Sequence, residues 1–151
     1  MTIAIEELTE VTEEVVDAFS RLLPQLSTSA KPLDAAAIHA IVASPAVTLL
    51  MARSDDKIVG TLSLVVFRIP TGVRAWIEDV IVDAAAGRQG IGTALVKEAI
   101  RIAGAVGART VDLTTRPARV AAGNLYERIG FSQRDTRVYR YTFNRAPTTE
   151  A

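Results

Sequence analysis

Apolar residues recur at helical spacing over Val11, Val15, Val16, Phe19, Leu22, Leu23 and Leu26, and the pattern stops at Ser27-Thr28-Ser29. An amphipathic helix is predicted there, preceded by a short strand over Thr2 to Glu7. Asp34 is placed to cap a second helix through Ala35 to Ala43, which Ser44-Pro45 ends. The period then changes to that of strands. Val47 to Arg53 and Ile58 to Phe67 are β-branched and apolar runs joined by Ser54-Asp55-Asp56-Lys57, the signature of an antiparallel hairpin, and Pro70-Thr71-Gly72 makes the next turn.

Arg74 to Val82 reads as a third long strand and leads into a glycine-rich turn. Beyond it Ile91, Leu95, Val96, Ala99, Ile100, Ala103 and Val106 form the buried stripe of a helix ending near Gly107. Thr110 to Thr114 follows as a strand, which makes one βαβ crossover. Pro117 suits the first turn of a further helix to Ile129, stopped by Gly130, and Val138 to Phe143 alternates as a last strand. Residues 144–151 read as a frayed tail. The order β-α-α-β-β-β-α-β-α-β predicts an α/β fold, a mixed central sheet flanked by about four helices, in a single domain over 1–151.

Composition narrows the chemistry. Apolar residues make up 49% of the 151 but aromatic ones only 5%, so the core is expected to be built of small aliphatic side chains. Seventeen basic and 17 acidic residues cancel, leaving no field to attract nucleic acid. The arginines of the C-terminal third, Arg128, Arg134, Arg137, Arg140 and Arg145, alternate with acids and apolar residues and read as a solvated face. With no cysteine, a disulfide framework, a thiol nucleophile and a cysteinyl intermediate are excluded. No apolar run approaches the ~18 residues of a membrane span, and a soluble cytoplasmic protein with no membrane partner is expected. His39, the single histidine, has no companion ligands and is expected to pack on its helix, so no metal is expected.

Gly87-Arg88-Gln89-Gly90-Ile91-Gly92-Thr93 lies between a strand and a helix N-terminus, where exposed amides and the positive end of the helix dipole favour an anion. Small residues at Gly90 and Gly92 let a phosphate approach. A triphosphate-binding loop would need Gly-Lys-Ser/Thr, which is absent. A dinucleotide fingerprint would need a third glycine and a place after the first strand, and both are missing.

Three segments in order, Ile77-Glu78-Asp79-Val80-Ile81-Val82, Arg88-Gln89-Gly90-Ile91-Gly92-Thr93-Ala94-Leu95 and Ala122-Gly123-Asn124-Leu125-Tyr126-Glu127-Arg128-Ile129-Gly130-Phe131, resemble the GNAT superfamily of N-acetyltransferases. The resemblance covers roughly Trp76 to Phe143. It implies the GNAT fold, acetyl-CoA as donor, and backbone pairing of Val80, Ile81 and Val82 with the pantetheine arm. Gly87 to Thr93 would hold the pyrophosphate, Asn124 could touch the coenzyme, and Tyr126 would protonate the leaving thiolate. Two positions depart from the family pattern: Gly87 stands where Gln or Arg is usual, with Arg88 one place late, and Arg119 stands where Asn is common before the helix tyrosine.

Acetyl transfer to an amine needs a neutral amine, a polarised carbonyl and a proton for the thiolate. Glu78 and Asp79 sit mid-strand beside apolar neighbours, where a carboxylate can serve as base. Adjacent strand residues face opposite ways, so one of the two, Glu78 first and Asp79 second, is expected at the site. The plainer readings are one exposed acid beside one paired to Arg74 or Arg116, a Tyr126 ring packed on the core, and Tyr139 and Tyr141 stabilising the last strand. Trp76 is expected in the core or in a pocket wall. The expected activity is direct transfer to a primary amine of a small molecule through a ternary complex. A protein acceptor, a non-catalytic acyl-CoA sensor and an unrelated nucleotide-binding module are the alternatives, and edge-strand pairing into a homodimer is compatible with the pattern.

Overall fold

The computed structural model describes residues 2–87 and 89–143. Strand β1 (Ile3–Glu7) is followed by α1 (Glu13–Leu26), α2 (Ala35–Ala43), β2 (Val47–Ser54), β3 (Lys57–Ile69) and β4 (Gly72–Val82). A short 3-10 turn (Ala84–Ala86), α3 (Ile91–Ala105), β5 (Thr110–Asp112) and α4 (Val120–Ile129) complete the order. The helix starts follow local chemistry. Thr12 Oγ1 accepts from the Val15 amide at 3.3 Å, and Asp34 Oδ1 accepts from the Ala37 amide at 2.8 Å, so each side chain satisfies a first-turn donor.

The five strands lie in the order β1-β2-β3-β4-β5, antiparallel except for the last pair, which the α3 crossover makes parallel. Alternation along the strands supplies two cores. Leu50, Ala52, Leu62, Leu64, Ala75 and Ile77 join Leu95, Val96, Ala99 and Ala103 of α3 on one face, with Leu125 and Tyr126 of α4 packed against them. Leu49, Met51, Ile58 and Ile81 join Val15, Phe19, Leu22 and Ile38 of α1 and α2 on the other. Alanine and valine are frequent in the α3-side core, as the composition predicts, whereas leucine and isoleucine with Phe19 and Met51 dominate the other.

Ile77 and Ile81 are four residues apart and would share a face in a regular strand, yet they belong to opposite cores. A β-bulge explains this. Ser63 pairs with Glu78 and Thr61 with Ile81, so Asp79 and Val80 together oppose one residue of β3, and Asp79 takes φ of 49°. The extra residue inverts the alternation beyond it.

Four sequence expectations are corrected. Pro117 lies before α4 rather than in its first turn, because the helix begins at Val120 with Arg119 at its N-cap position. β5 ends at Asp112, short of Thr114. Val138 to Phe143 forms no strand: Tyr139 and Tyr141 are 88% and 83% exposed, and among the described residues no strand of the sheet pairs with the segment. His39 is exposed rather than packed on its helix, and Trp76 is half-buried. The expected tail over 144–151 falls outside the described residues. Among the described residues no helix is long and apolar enough to cross a membrane.

Candidate active site

The strand β4 ends where α3 begins, and the chain between them is shaped by two local devices. Asp83 accepts from the Ala85 amide at 3.1 Å and so caps the 3-10 turn. Gly90 then adopts φ of 77°, a left-handed conformation glycine takes without a Cβ penalty, and starts α3 with no side-chain cap. The first-turn amides of α3, from Ile91 to Thr93, are therefore left without a side-chain acceptor, at the positive end of the helix dipole.

A cleft opens beside this turn in two adjoining parts that share Val80, Val82 and Arg119 as walls. One part, about 250 Å³, is completed by Gly92, Val96, Ala121, Ala122, Leu125 and Tyr126. The other, about 340 Å³, is completed by Gln25, Leu26, Ile81 and Ala84. The cleft thus runs from the C-terminal end of α1, over the bulged end of β4, to α4. A Cβ on Gly92 would stand 3.5 Å from Leu125 Cδ1 and 3.7 Å from Val82 Cγ2, ordinary contacts that place it in the cleft lining.

Tyr126 is half-buried, and its ring meets Phe131 edge-on with centroids 5.8 Å apart. Burial raises its phenol above the ordinary value of 10.0, and the nearby Arg119 offsets this in part. The phenol is held in its protonated, hydrogen-bond-donating form. Val80 and Val82 line both parts of the cleft, and Ile81 lines the α1 side while packing in the core there.

The remaining expected residues are distributed less simply. Glu78 and Asp79 are both exposed, so the expectation of one shielded carboxylate fails; the bulge turns both outward in succession where a regular strand would bury one. Asn124 is exposed and outside the cleft lining, because it lies on the outer side of α4 from Leu125 and Tyr126. Ile91 is 2% exposed, leaving its amide rather than its side chain for a ligand. Gly87 ends the 3-10 turn with its amide donating to Ala84 O at 3.3 Å, and Gln89 accepts from Ser54 Oγ at 3.0 Å. Thr93 is half-buried in the first turn of α3. Arg88 lies outside the described residues.

Sequence reading missed one group. Asp83 is 6% exposed and accepts from Arg21 Nη1 at 2.7 Å and from Gln25 Nε2 at 3.3 Å, while Gln25 Oε1 accepts from the Ala84 amide at 2.9 Å. Arg21 also donates to Ile58 O at 2.9 Å. This network fastens α1 to the turn that precedes α3, and an acid directly after the strand was its only trace in the sequence. The Ala85 amide above all, with help from Gln25 and Arg21, holds the Asp83 carboxyl below its usual 3.8 against the opposing effect of burial.

A carboxyl lowered on folding contributes stability that is present above its unfolded value and is lost as pH falls through the folded one. Urea unfolding of Asp83→Asn should show a loss of about 1–3 kcal/mol at pH 7, the usual cost of orphaning buried partners. Below pH ~4 the wild type should converge toward the variant. Equal differences at pH 7 and pH 3 would contradict the assignment.

The sequence profile of the Acetyltransferase (GNAT) family matches residues 8–131. The chain belongs to that family. Its members use acetyl-CoA as donor, and the five-stranded mixed sheet with four helices is the GNAT fold. Comparison with curated proteins gave no match.

Solved structures agree with the GNAT assignment of the fold. A protein from Bacillus halodurans C-125 described as a transcriptional regulator is 29% identical, with a TM-score of 0.77 over 94% of this chain and 100% of that one. The aminoglycoside acetyltransferase meta-AAC0020 from an uncultured soil metagenomic sample, in complex with sisomicin, is 20% identical, with a TM-score of 0.83 over 94% and 97%. Glucosamine-6-phosphate N-acetyltransferase from Arabidopsis thaliana is 20% identical, with a TM-score of 0.78 over 93% and 99%.

Proposed function

We propose that this GNAT-family enzyme transfers acetyl from acetyl-CoA to a primary amine on a small molecule, in a ternary complex without a covalent enzyme intermediate. The observation that carries the reading is the single cleft bordered by Gly92 at the start of α3, by Val80 in the bulge and Val82 beyond it, and by the Tyr126 side chain. A donor with a diphosphate, an extended amide arm and a thioester fits that succession. The uncapped amides of Ile91, Gly92 and Thr93, with the turn from Gly87 through Arg88, Gln89 and Gly90, would take the diphosphate.

The bulge frees main-chain groups at Asp79 and Val80 from the regular ladder with β3, and Val80, Ile81 and Val82 would pair with the amide arm as an added strand does. One freed amide would polarise the thioester carbonyl. Tyr126 would supply the proton that the thiolate needs. Glu78, and after it Asp79, would receive the amine proton; both are exposed, which suits transfer through water. Asn124 is assigned at most a peripheral contact with the coenzyme. The acceptor would enter from the α1 side, past Gln25 and Leu26. No nucleic acid, membrane or metal is assigned a role, and a cytoplasmic setting is proposed.

A small-molecule acceptor is supported by the neighbours described as acting on aminoglycosides and glucosamine 6-phosphate. Thiol release from acetyl-CoA should be measured across aminosugars, aminoglycosides, polyamines, amino acids and peptide N-termini, beside thermal melting with acetyl-CoA, NAD and ATP. Selective stabilisation by acetyl-CoA and turnover with a small amine are expected. Stabilisation by NAD or ATP instead would overturn the reading.

A second reading, an acyl-CoA sensor without turnover, draws on Arg119 in the wall shared by both parts of the cleft, in place of the usual Asn, and on the Bacillus protein's description as a regulator. Binding without thiol release for every amine would favour it.

A further inference from the structure

Arg116-Pro117-Ala118-Arg119 lies between β5 and α4, and a proline in second place favours a tight turn. The turn is closed by the Arg119 amide, which donates to Arg116 O at 2.9 Å, while Arg119 O accepts from the Gly123 amide at 3.1 Å. The backbone of Arg119 is thus fixed on both sides, and the residue stands in the wall that the two parts of the cleft share. Among the described residues it is the only charged one in the lining of either part.

The other polar groups around the cleft are already engaged in the fold. Gln25 is held by Asp83, the Ala84 amide and Arg21 O, and Arg21 by Asp83 and Ile58 O. The Arg119 side chain, by contrast, makes no hydrogen bond or ion pair among the described residues. Leu26, Val80, Ile81, Val82 and Leu125 make the walls around it apolar. No aspartate or glutamate among the described residues lines either part, and Glu78 and Asp79 lie outside both. A cleft built for a polycationic amine needs carboxylates to meet the spare ammonium groups; this one presents the opposite sign.

We propose that Arg119 sets acceptor specificity: the acetyl acceptor is an amine that also carries an anionic group, a carboxylate or a phosphate, which the guanidinium holds where the two parts of the cleft meet. This rests on the reading of the cleft as the site of acetyl transfer. A planar guanidinium presents its donors in a fork that matches either anion bidentately. Its place at the junction sets the anion beside the reacting end, since Arg119 shares one part with Tyr126 and its charge opposes the rise of that phenol caused by burial. The donor's diphosphate is served by the amides at the start of α3, which leaves Arg119 for the acceptor. The α1 side of the cleft, about 340 Å³, suits a compact molecule of the size of an amino acid or a sugar phosphate. The same charge repels a second ammonium group, so diamines and polyamines are disfavoured by sign.

Thiol release from acetyl-CoA is measured with acceptors matched except for the anion: phenylalanine and 4-aminobutyrate against their amides, glucosamine 6-phosphate against glucosamine, and putrescine for the opposite charge. In at least one pair the anionic member should show a kcat/KM about 10- to 100-fold above its partner, the worth of a hydrogen bond to a charged group, and the pair that responds tells carboxylate from phosphate. Arg119→Ala should abolish the preference through the acceptor KM while the KM for acetyl-CoA stays nearly unchanged. Arg119→Lys should retain part of it, and Arg119→Glu should shift the enzyme toward putrescine. Melting temperatures of all three should match the wild type, because the side chain ties nothing together in the fold. Equal kcat/KM within every pair, a preference that survives Arg119→Ala, or a loss carried by the KM for acetyl-CoA would overturn the proposal, the last by assigning the arginine to the coenzyme. If no amine releases thiol, the transferase reading fails, and calorimetric titration of the same pairs into the protein with and without CoA decides the subsite. Tighter binding of an anionic member, lost in Arg119→Ala, upholds it; equal or absent binding refutes it.

Discussion

Replacing Tyr126 by Phe should lower kcat by about 100-fold or more while leaving acetyl-CoA affinity nearly unchanged. A positioned general acid contributes on the order of 10²–10⁴ in rate, and phenylalanine removes the proton while keeping the ring. The edge contact with Phe131 would persist, so helix α4 should keep its place. Stopped thiol-release kinetics at saturating amine, with binding followed by calorimetry, separate the two quantities. The pH profile adds a check. Because burial raises the phenol above 10.0, a rate that depends on its proton is retained up to that pH and lost only above it. An alkaline fall in kcat near neutrality, or a Phe variant as fast as the wild type, would remove Tyr126 from the chemistry.

Gly60→Val should damage the scaffold at the junction of β3, β4 and α3. A Cβ on Gly60 would stand 3.0 Å from Ile81 O, 3.1 Å from Ile91 Cγ2 and 3.2 Å from Leu95 Cδ1. The first of these is backbone and cannot yield cheaply, and the others belong to a fully packed stretch of α3. Overpacking of this kind costs about 1–3 kcal/mol and at times more, and two further methyl groups put valine at the upper end. For a domain of this size that corresponds to a melting shift of roughly 6–10 °C. Relief by moving α3 off the sheet would carry the amides of Ile91 and Gly92 with it. The acetyl-CoA KM should therefore rise alongside the loss of stability, whereas Asp83→Asn should chiefly affect stability. A Gly60→Val protein with wild-type melting would show that this close approach is looser than the structure implies.

These two positions illustrate how unevenly the site was written in the sequence. The places of Tyr126 and Gly92 in the cleft lining were legible because each lies in a short motif that carries the GNAT resemblance. Gly60 was not, since its need is set by Ile81, Ile91 and Leu95, which meet it only when strand and helix are stacked. Asp83 was hidden for a similar reason, its partners Arg21 and Gln25 being some sixty residues away. The bulge at Asp79 had no local sign either, because neither aspartate nor valine requires it; it shows only in the register with β3.

Periodicity of apolar residues, capping at Asp34 and the glycine turn were enough to specify the helices, the first four strands and the anion-favouring end of α3. These depend on neighbours within one turn or one strand, where propensity and hydrogen bonding act locally. The outward turn of both Glu78 and Asp79, the shared walls of the cleft and the bare edge of β5 depend on which strands lie side by side. Only the assembled sheet decides them, because hydrogen-bond register and burial are properties of pairs of segments. The segment from Val138 to Phe143 stands between the two cases: its alternation marks it as a strand, but a strand exists only where a partner edge meets it.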